Sequence, residues 1–202
     1  MQPFTQLTAI AAPIDLANVD TDQIIPARFL RKLRGPGYER LAFHDIRFDA
    51  DGKENPDFVL NKPPYRDAKI LVAGANFGCG SSREAAVYVL FDYGIRSVIA
   101  PSFGDIHYGN QLQNGMLPVM LSDEICQKLR RQLHAKPGAQ ITVDLEAQTV
   151  TGPDGATYRF EIEPNHKERL LKGLDDIGLV MQNIKEIEAF EQRHRSEMPW
   201  LA

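Results

Sequence analysis

The sequence predicts a three-layer α/β fold, a mixed sheet flanked by helices. Three observations carry this. Short apolar runs, "KILVAG" (69–74), "SVIAP" (97–101) and "LPVML" (117–121), alternate with helical stretches through the middle of the chain. Such alternation is the pattern of parallel strands joined by helical crossovers. Farther on, "AQITVDLEAQTVTGPDGATYRFEIE" reads as strands broken by a turn at Gly152-Pro153-Asp154-Gly155, which makes the sheet mixed. At the start, "FTQLTAIAAPI" alternates loosely and reads as a further strand.

The remaining elements follow in order. "NVDTDQIIP" (18–26) reads as a polar loop closed by a proline. "ARFLRKLRGPG" has a basic start and a Gly-Pro-Gly break at 35–37, with a short helical stretch beyond. Residues 49–68 are rich in Pro, Asn, Asp and Gly and read as loop, with Phe58–Asn61 as a short extended piece. From Arg83 to Tyr93 the apolar residues surround the axis, which predicts a helix buried on most sides. "FGDIHYGNQLQNG" reads as loop and short helix. Ser122 is an N-cap for a helix ending before Pro137-Gly138. Residues 165–174 and 183–194 read as two more helices. The 202 residues fit one domain spanning 1–202, with a loose tail at about 195–202.

Composition excludes several classes. A formal net charge of −4 argues against nucleic acid, whose binders carry a basic face. Phe and Tyr are dispersed rather than grouped as a stacking platform. No apolar run approaches a membrane span, and the first residues lack a basic start followed by an apolar core. The two cysteines, Cys79 and Cys126, fit neither a disulfide framework nor a CxxC metal site. A soluble, cytoplasmic protein with reduced thiols is expected.

The chemistry points to "GCGSSRE", Gly78 to Glu84. The segment is not a Walker A loop, because no lysine follows the glycines. It is not a dinucleotide fingerprint, because Arg83 stands where the third glycine belongs. What remains is a strand, a glycine-rich turn and a helix start near Ser81. Unpaired N–H groups and the helix dipole there favour an anion, Gly78 and Gly80 allow close approach, and Arg83 offers a planar fork to a carboxylate. The same residues also spell a capping box, in which Ser81 bonds the N–H of Glu84 and Glu84 bonds back. A capping Ser81 would sit among dipoles that also favour its alkoxide.

Four motifs in order add a resemblance. "NFGCGSSREAA" resembles the active-site turn of the aconitase superfamily's swivelling domain. "NVDTDQIIPARFL", "VIAPSFGDIHYGNQLQNGMLPV", "GLDDIGLVMQ" and the length resemble the isopropylmalate dehydratase small-subunit family within it. The match runs from about residue 4 to 195. It implies a swivelling β/β/α domain like the fourth domain of aconitase. The implied reaction converts 2-isopropylmalate to 3-isopropylmalate through 2-isopropylmaleate, by removal and re-addition of water, in leucine biosynthesis. Homoaconitate, citraconate or a dimethylmalate are the alternative substrates, and a binding module that keeps the turn without catalysis is the other class.

Residue by residue, the resemblance makes Ser81 the proton-transfer base, with Ser82 and Arg83 on substrate carboxylate. Gly78 and Gly80 support the turn, and Thr21 and Asp22 support it from the early loop. Arg34 is the counterpart of an active-site arginine. Arg31 and Leu30, in "FLRKLRGPG", stand where the family chooses the substrate's side group. Ala85 replaces a histidine common in the family. The implied cofactor is a [4Fe-4S] cluster, which takes three or four thiolates. With two cysteines this chain holds no metal itself, so the cluster belongs on a partner large subunit in a heterodimer. His107 reads as a packed or surface histidine rather than a ligand.

Overall fold

The structure is a computed structural model that describes residues 1–81 and 83–201. Strand β1 (Gln6–Pro13) leads into a four-residue helix α1 (Thr21–Ile24) and an irregular stretch that holds α2 (His44–Arg47). Then β2 (Ile70–Val72), α3 (Glu84–Tyr93), β3 (Ser97–Ala100), α4 (Asp105–Gln113) and β4 (Leu117–Met120) alternate. Helix α5 (Asp123–Ala135) leads to β5 (Gln140–Asp144), β6 (Thr149–Thr151) and β7 (Thr157–Arg159), and α6 (Pro164–Lys172), α7 (Asp176–Met181) and α8 (Ile184–Glu197) follow. Among the described residues the strands form one sheet in the order β4-β3-β2-β1-β5-β6-β7. The first four are mutually parallel, and β5, β6 and β7 are added antiparallel. The sheet is mixed, as the sequence predicts.

Alternation within the strands builds a core on each face. On β2, Leu71 faces the cluster that contains Phe43, Phe77, Val87 and Leu90, whereas Ile70 and Val72 face the cluster that contains Leu129, Leu133 and Leu170. Helix α3 fills the first layer; α5 crosses the second and presents Cys126, Leu129 and Leu133 to the sheet. Ser122 caps α5 as predicted, accepting from the Ile125 N–H at 3.4 Å. Among the described residues no helix is long and apolar enough to cross a membrane.

Several local expectations change. The loop at 18–26 contains α1, because Asp20 and Gln23 form a reciprocal box: Asp20 Oδ1 accepts from the Gln23 N–H (2.7 Å), and Gln23 Oε1 accepts from the Asp20 N–H (3.0 Å). Val59–Asn61 is a 3-10 turn rather than an extended piece. The reason is a buried polar network. Asn61 Nδ2 donates to the carbonyls of Arg47 (2.7 Å) and Asn55 (2.8 Å), while Arg47 Nε donates to Asn61 Oδ1 (3.2 Å). This amide pins an otherwise irregular stretch. Helix α8 runs through Glu197, followed by a 3-10 turn at Pro199–Leu201.

Asn61→Ala leaves Arg47 and two carbonyls without their buried partner. A loss of about 1–3 kcal/mol in urea unfolding is expected, with the unfolding slope unchanged.

Candidate active site

The glycine turn follows β2 and is clamped on both sides by main chain. On one side, the segment after β1 runs beside it: Gly74 N–H donates to Leu16 O (3.1 Å), Gly78 N–H to Val19 O (2.7 Å), and Thr21 N–H to Cys79 O (3.1 Å). Thr21, buried, also donates its hydroxyl to Ser81 O at 2.9 Å. On the other side, Phe77 N–H donates to Ser102 O (3.0 Å) and Gly104 N–H to Phe77 O (2.9 Å). The site therefore lies outside the carboxyl ends of parallel strands, where open α/β sheets place their ligands.

Three glycines around the turn are required by contact, and at Gly74 a Cβ would lie 2.5 Å from Leu16 O. Gly78 has φ +73°, and a Cβ there would lie 2.1 Å from His107 Cδ2. At Gly104 a Cβ would lie 2.6 Å from Gly78 O. Gly80 has φ +87° but open surroundings, with Asp20 Cβ 3.6 Å away. Thus Gly78 is fixed by packing and conformation together, Gly80 by conformation alone.

The capping box at Ser81 is not formed. Arg83 is extended (φ −132°, ψ 128°), so α3 begins at Glu84 and Arg83 takes the N-cap position without a side-chain cap. Ser81 is exposed, and its hydroxyl has no hydrogen-bond partner among the described residues. Glu84 turns instead to Asn114, whose Nδ2 donates to Glu84 Oε1 at 3.0 Å. This removes the competition for the Ser81 hydroxyl, and also the helix-start dipoles expected around it. Charge near the turn comes from side chains: Arg83 forms an ion pair with Asp22, which α1 projects toward it. Ser82 lies outside the described residues.

The structure gathers Thr21, Asp22, Gly78, Gly80, Ser81 and Arg83 in one place. It does not bring Arg34 there. Arg34 is engaged at the far end of α3, where Nε and Nη2 donate to Asp92 at 2.7 and 2.6 Å and the guanidinium lies over the Tyr88 ring. Leu30 and Arg31 are exposed on the loop that this anchor ties down.

His107 is packed, one of the two places the sequence allowed it, but its position under the turn was not foreseen. His107, on α4, is fully buried against Gly78, with its ring centroid 5.7 Å from that of Phe77. Burial alone pushes its imidazole down to about 4. Its helix neighbours Asp105 and Ile106 are exposed, so no local pattern in the sequence marks the contact with Gly78.

No group of three or more metal-ligating side chains meets among the described residues. Cys126 is buried in the core, where desolvation pushes its thiol up to about 11, and its S–H points at Leu121 O (3.7 Å). Only Cys79, partly exposed in the turn, is accessible. One accessible thiol does not fit an iron–sulfur cluster.

The comparisons define the class first. Residues 1–124 match the Aconitase C-terminal domain model, so the turn and its clamp are those of an aconitase-type domain. Residues 176–202 match the model for the C-terminal domain of the 3-isopropylmalate dehydratase small subunit. Proteins named 3-isopropylmalate dehydratase small subunit from Dinoroseobacter shibae (53% identical, 100% of each chain) and Phenylobacterium zucineum (53%, 100% of this chain and 98% of that one) align along the whole length. A solved 3-isopropylmalate dehydratase chain from Methanocaldococcus jannaschii superposes with a TM-score of 0.65 at 25% identity, covering 92% of this chain and 99% of that one. The chain belongs to the 3-isopropylmalate dehydratase small-subunit family.

Gly78→Ala and Gly80→Ala separate the two constraints. The left-handed conformation alone should make Gly80→Ala less stable by about 1–2 kcal/mol. Gly78→Ala meets His107 as well, and its loss in chemical denaturation should exceed that of Gly80→Ala by a further ~1–3 kcal/mol.

Proposed function

We propose that this chain is the small subunit of a cytoplasmic 3-isopropylmalate dehydratase, a hydro-lyase of leucine biosynthesis that works with a large subunit. It would interconvert 2-isopropylmalate and 3-isopropylmalate by losing water to 2-isopropylmaleate and adding it back in the other orientation. One observation carries the reading. An exposed serine hydroxyl, without a partner of its own among the described residues, stands on a turn clamped from two sides, with an arginine held by a carboxylate next to it. Family membership supplies the reaction class.

In this reading Ser81 takes the proton from the substrate carbon during dehydration and returns it to the neighbouring carbon during hydration. Thr21 fixes the Ser81 carbonyl, so that the hydroxyl is held where the proton is transferred. Arg83 receives a substrate carboxylate through its fork. Asp22 keeps that fork oriented between turnovers. Ser82 is the second group proposed for the carboxylate. Leu30 and Arg31, exposed on their loop, would meet the substrate's side group after closure onto the large subunit. Arg34 serves as the anchor of that loop through Asp92.

This chain's donors do not fit the cluster, so we assign the [4Fe-4S] group to the large subunit, and none of the steps above passes through it. Its contribution there would be a Lewis acid for the leaving hydroxyl. Both cysteines are free thiols, as a reducing compartment keeps them.

The test is anaerobic co-purification with a cluster-bearing large subunit, then hydration of 2-isopropylmaleate. Activity is expected only with both chains. Ser81→Ala, which still associates, should lower kcat by about 10²–10⁴-fold, the usual range for a lost proton-transfer group. A complex with an intact cluster that ignores isopropylmaleate yet hydrates citraconate would transfer the assignment to that diacid. In Thr21→Val, kcat should fall while KM stays close to wild type, since the lost bond orients Ser81 without touching substrate.

A further inference from the structure

Two polar side chains are buried behind the turn without partners. His107 and Gln111 lie one helical turn apart on α4, on one face. Both are fully buried, and His107 Nδ1, His107 Nε2, Gln111 Nε2 and Gln111 Oε1 all lack a hydrogen-bond partner among the described residues. Buried polar groups are ordinarily satisfied, so four such atoms on one helix face call for an account. The Ser81 hydroxyl, the proposed base, stands on the main chain that rests on this imidazole.

We propose that His107 is a positioning residue for the Gly78–Ser81 turn, effective only as an uncharged ring, so that protonation of this ring releases the turn and withdraws Ser81. The inference rests on the proposed role of Ser81 for its effect on catalysis, but not for its effect on the turn.

The geometry sets the direction. The ring lies against Gly78, which has no side chain and a positive φ that favours glycine. A cation in that space has no counter-charge among the described residues. The titratable or charged groups on the surrounding elements are Cys79 and Arg83 in the turn, Asp20 and Asp22 at the N-cap and on α1, Glu84, Tyr88, Asp92 and Tyr93 on α3, and Asp105 and Tyr108 on α4. None hydrogen-bonds the ring; Arg83 and Asp22 hold each other, and Asn114 engages Glu84. The linkage agrees in sign. The folded-state value is depressed from 6.5 to about 4. As pH falls through that window the unfolded or opened chain binds a proton that the closed one refuses, and the closed state loses stability. Moving the ring out from under Gly78 relieves the charge without dismantling the sheet, since β2 and β3 remain paired with their neighbours.

Hydrogen exchange across residues 76–83, corrected for the intrinsic pH dependence, reads the turn directly. The small–large complex is compared at about pH 7 and about pH 4.5, on either side of most of the window. Wild type should lose protection in the turn several-fold at the lower pH, while β2 and β3 keep theirs. His107→Phe, which keeps a ring of similar size and cannot be charged, should hold its protection across the range. In parallel assays, kcat relative to each protein's own value near neutral pH should fall in wild type and stay flat in His107→Phe, with KM unmoved in both. His107→Leu gives the same comparison if the phenylalanine variant does not fold. Equal acid loss in wild type and either uncharged variant overturns the inference, as does wild-type protection that survives acid. If protection follows His107 while Ser81→Ala keeps full activity, the role of Ser81 fails and the role of His107 in the turn stands.

Discussion

The structure depends on one constraint, the main-chain clamp that carries the pairing of β1 and β2 past the ends of both strands. Ile14, Leu16, Asn18, Val19 and Thr21 continue to bond residues 72–79 after regular strand geometry stops. A glycine-rich segment with three positive-φ residues, Asn76, Gly78 and Gly80, would otherwise be mobile. Here its carbonyls and N–H groups are taken on one side by the stretch after β1 and on the other by the stretch after β3. The turn can then place a hydroxyl without using that hydroxyl to hold itself. The glycines at 74 and 104 follow from this arrangement, because each lets two backbones approach more closely than a Cβ would permit, and Gly78 leaves room for the His107 ring.

The sheet and its helices were legible in the sequence because their signals are local. Alternation marks β1, continuous apolar runs mark β2, β3 and β4, and Ser122 with Pro137-Gly138 brackets α5. What was not legible depended on distant partners. Ser81-x-x-Glu84 spells a capping box, yet Asn114 takes Glu84 and Thr21 takes the carbonyl of Ser81, so the helix starts later. Asp20-x-x-Gln23 spells the weaker box and forms it. Phe58–Asn61 has the composition of a strand, but the Asn61 amide is consumed by Arg47 and Asn55 in a tight turn. Arg34 is close to the basic loop in sequence, and Asp92 draws it to the opposite end of α3. Gly78, Gly80, Thr21, Asp22 and Arg83 meet around Ser81 because the motif itself spans the clamp. The spacing of the motif says nothing about His107, whose contact with Gly78 exists only once α4 is docked.

In the proposed reading the chain carries half of a chemistry. It presents a serine, an arginine and a patterned turn on an open edge, and its thiols are one in the core and one in the turn. The division is a physical one. A group that moves a proton must be held to a fraction of an ångström by a rigid frame, which the clamp supplies, whereas a cluster requires several converging thiolates, which this core of aliphatic and aromatic side chains does not provide. If the proposed reading holds, separating the two functions on two chains lets each frame be built for one of them.

The clamp also has a consequence for the order in which the molecule can be assembled. Thr21 and Ser81 are 60 positions apart, and the segments after β1, β2 and β3 come together only when the parallel strands have paired. Parallel pairing closes long loops before any contact rewards the closure, which makes such steps slow. A chain that has formed α5 and the local β5–β6 and β6–β7 pairings alone would carry regular structure and still have no clamped turn. Competence for chemistry is thus acquired at the end of folding rather than along the way.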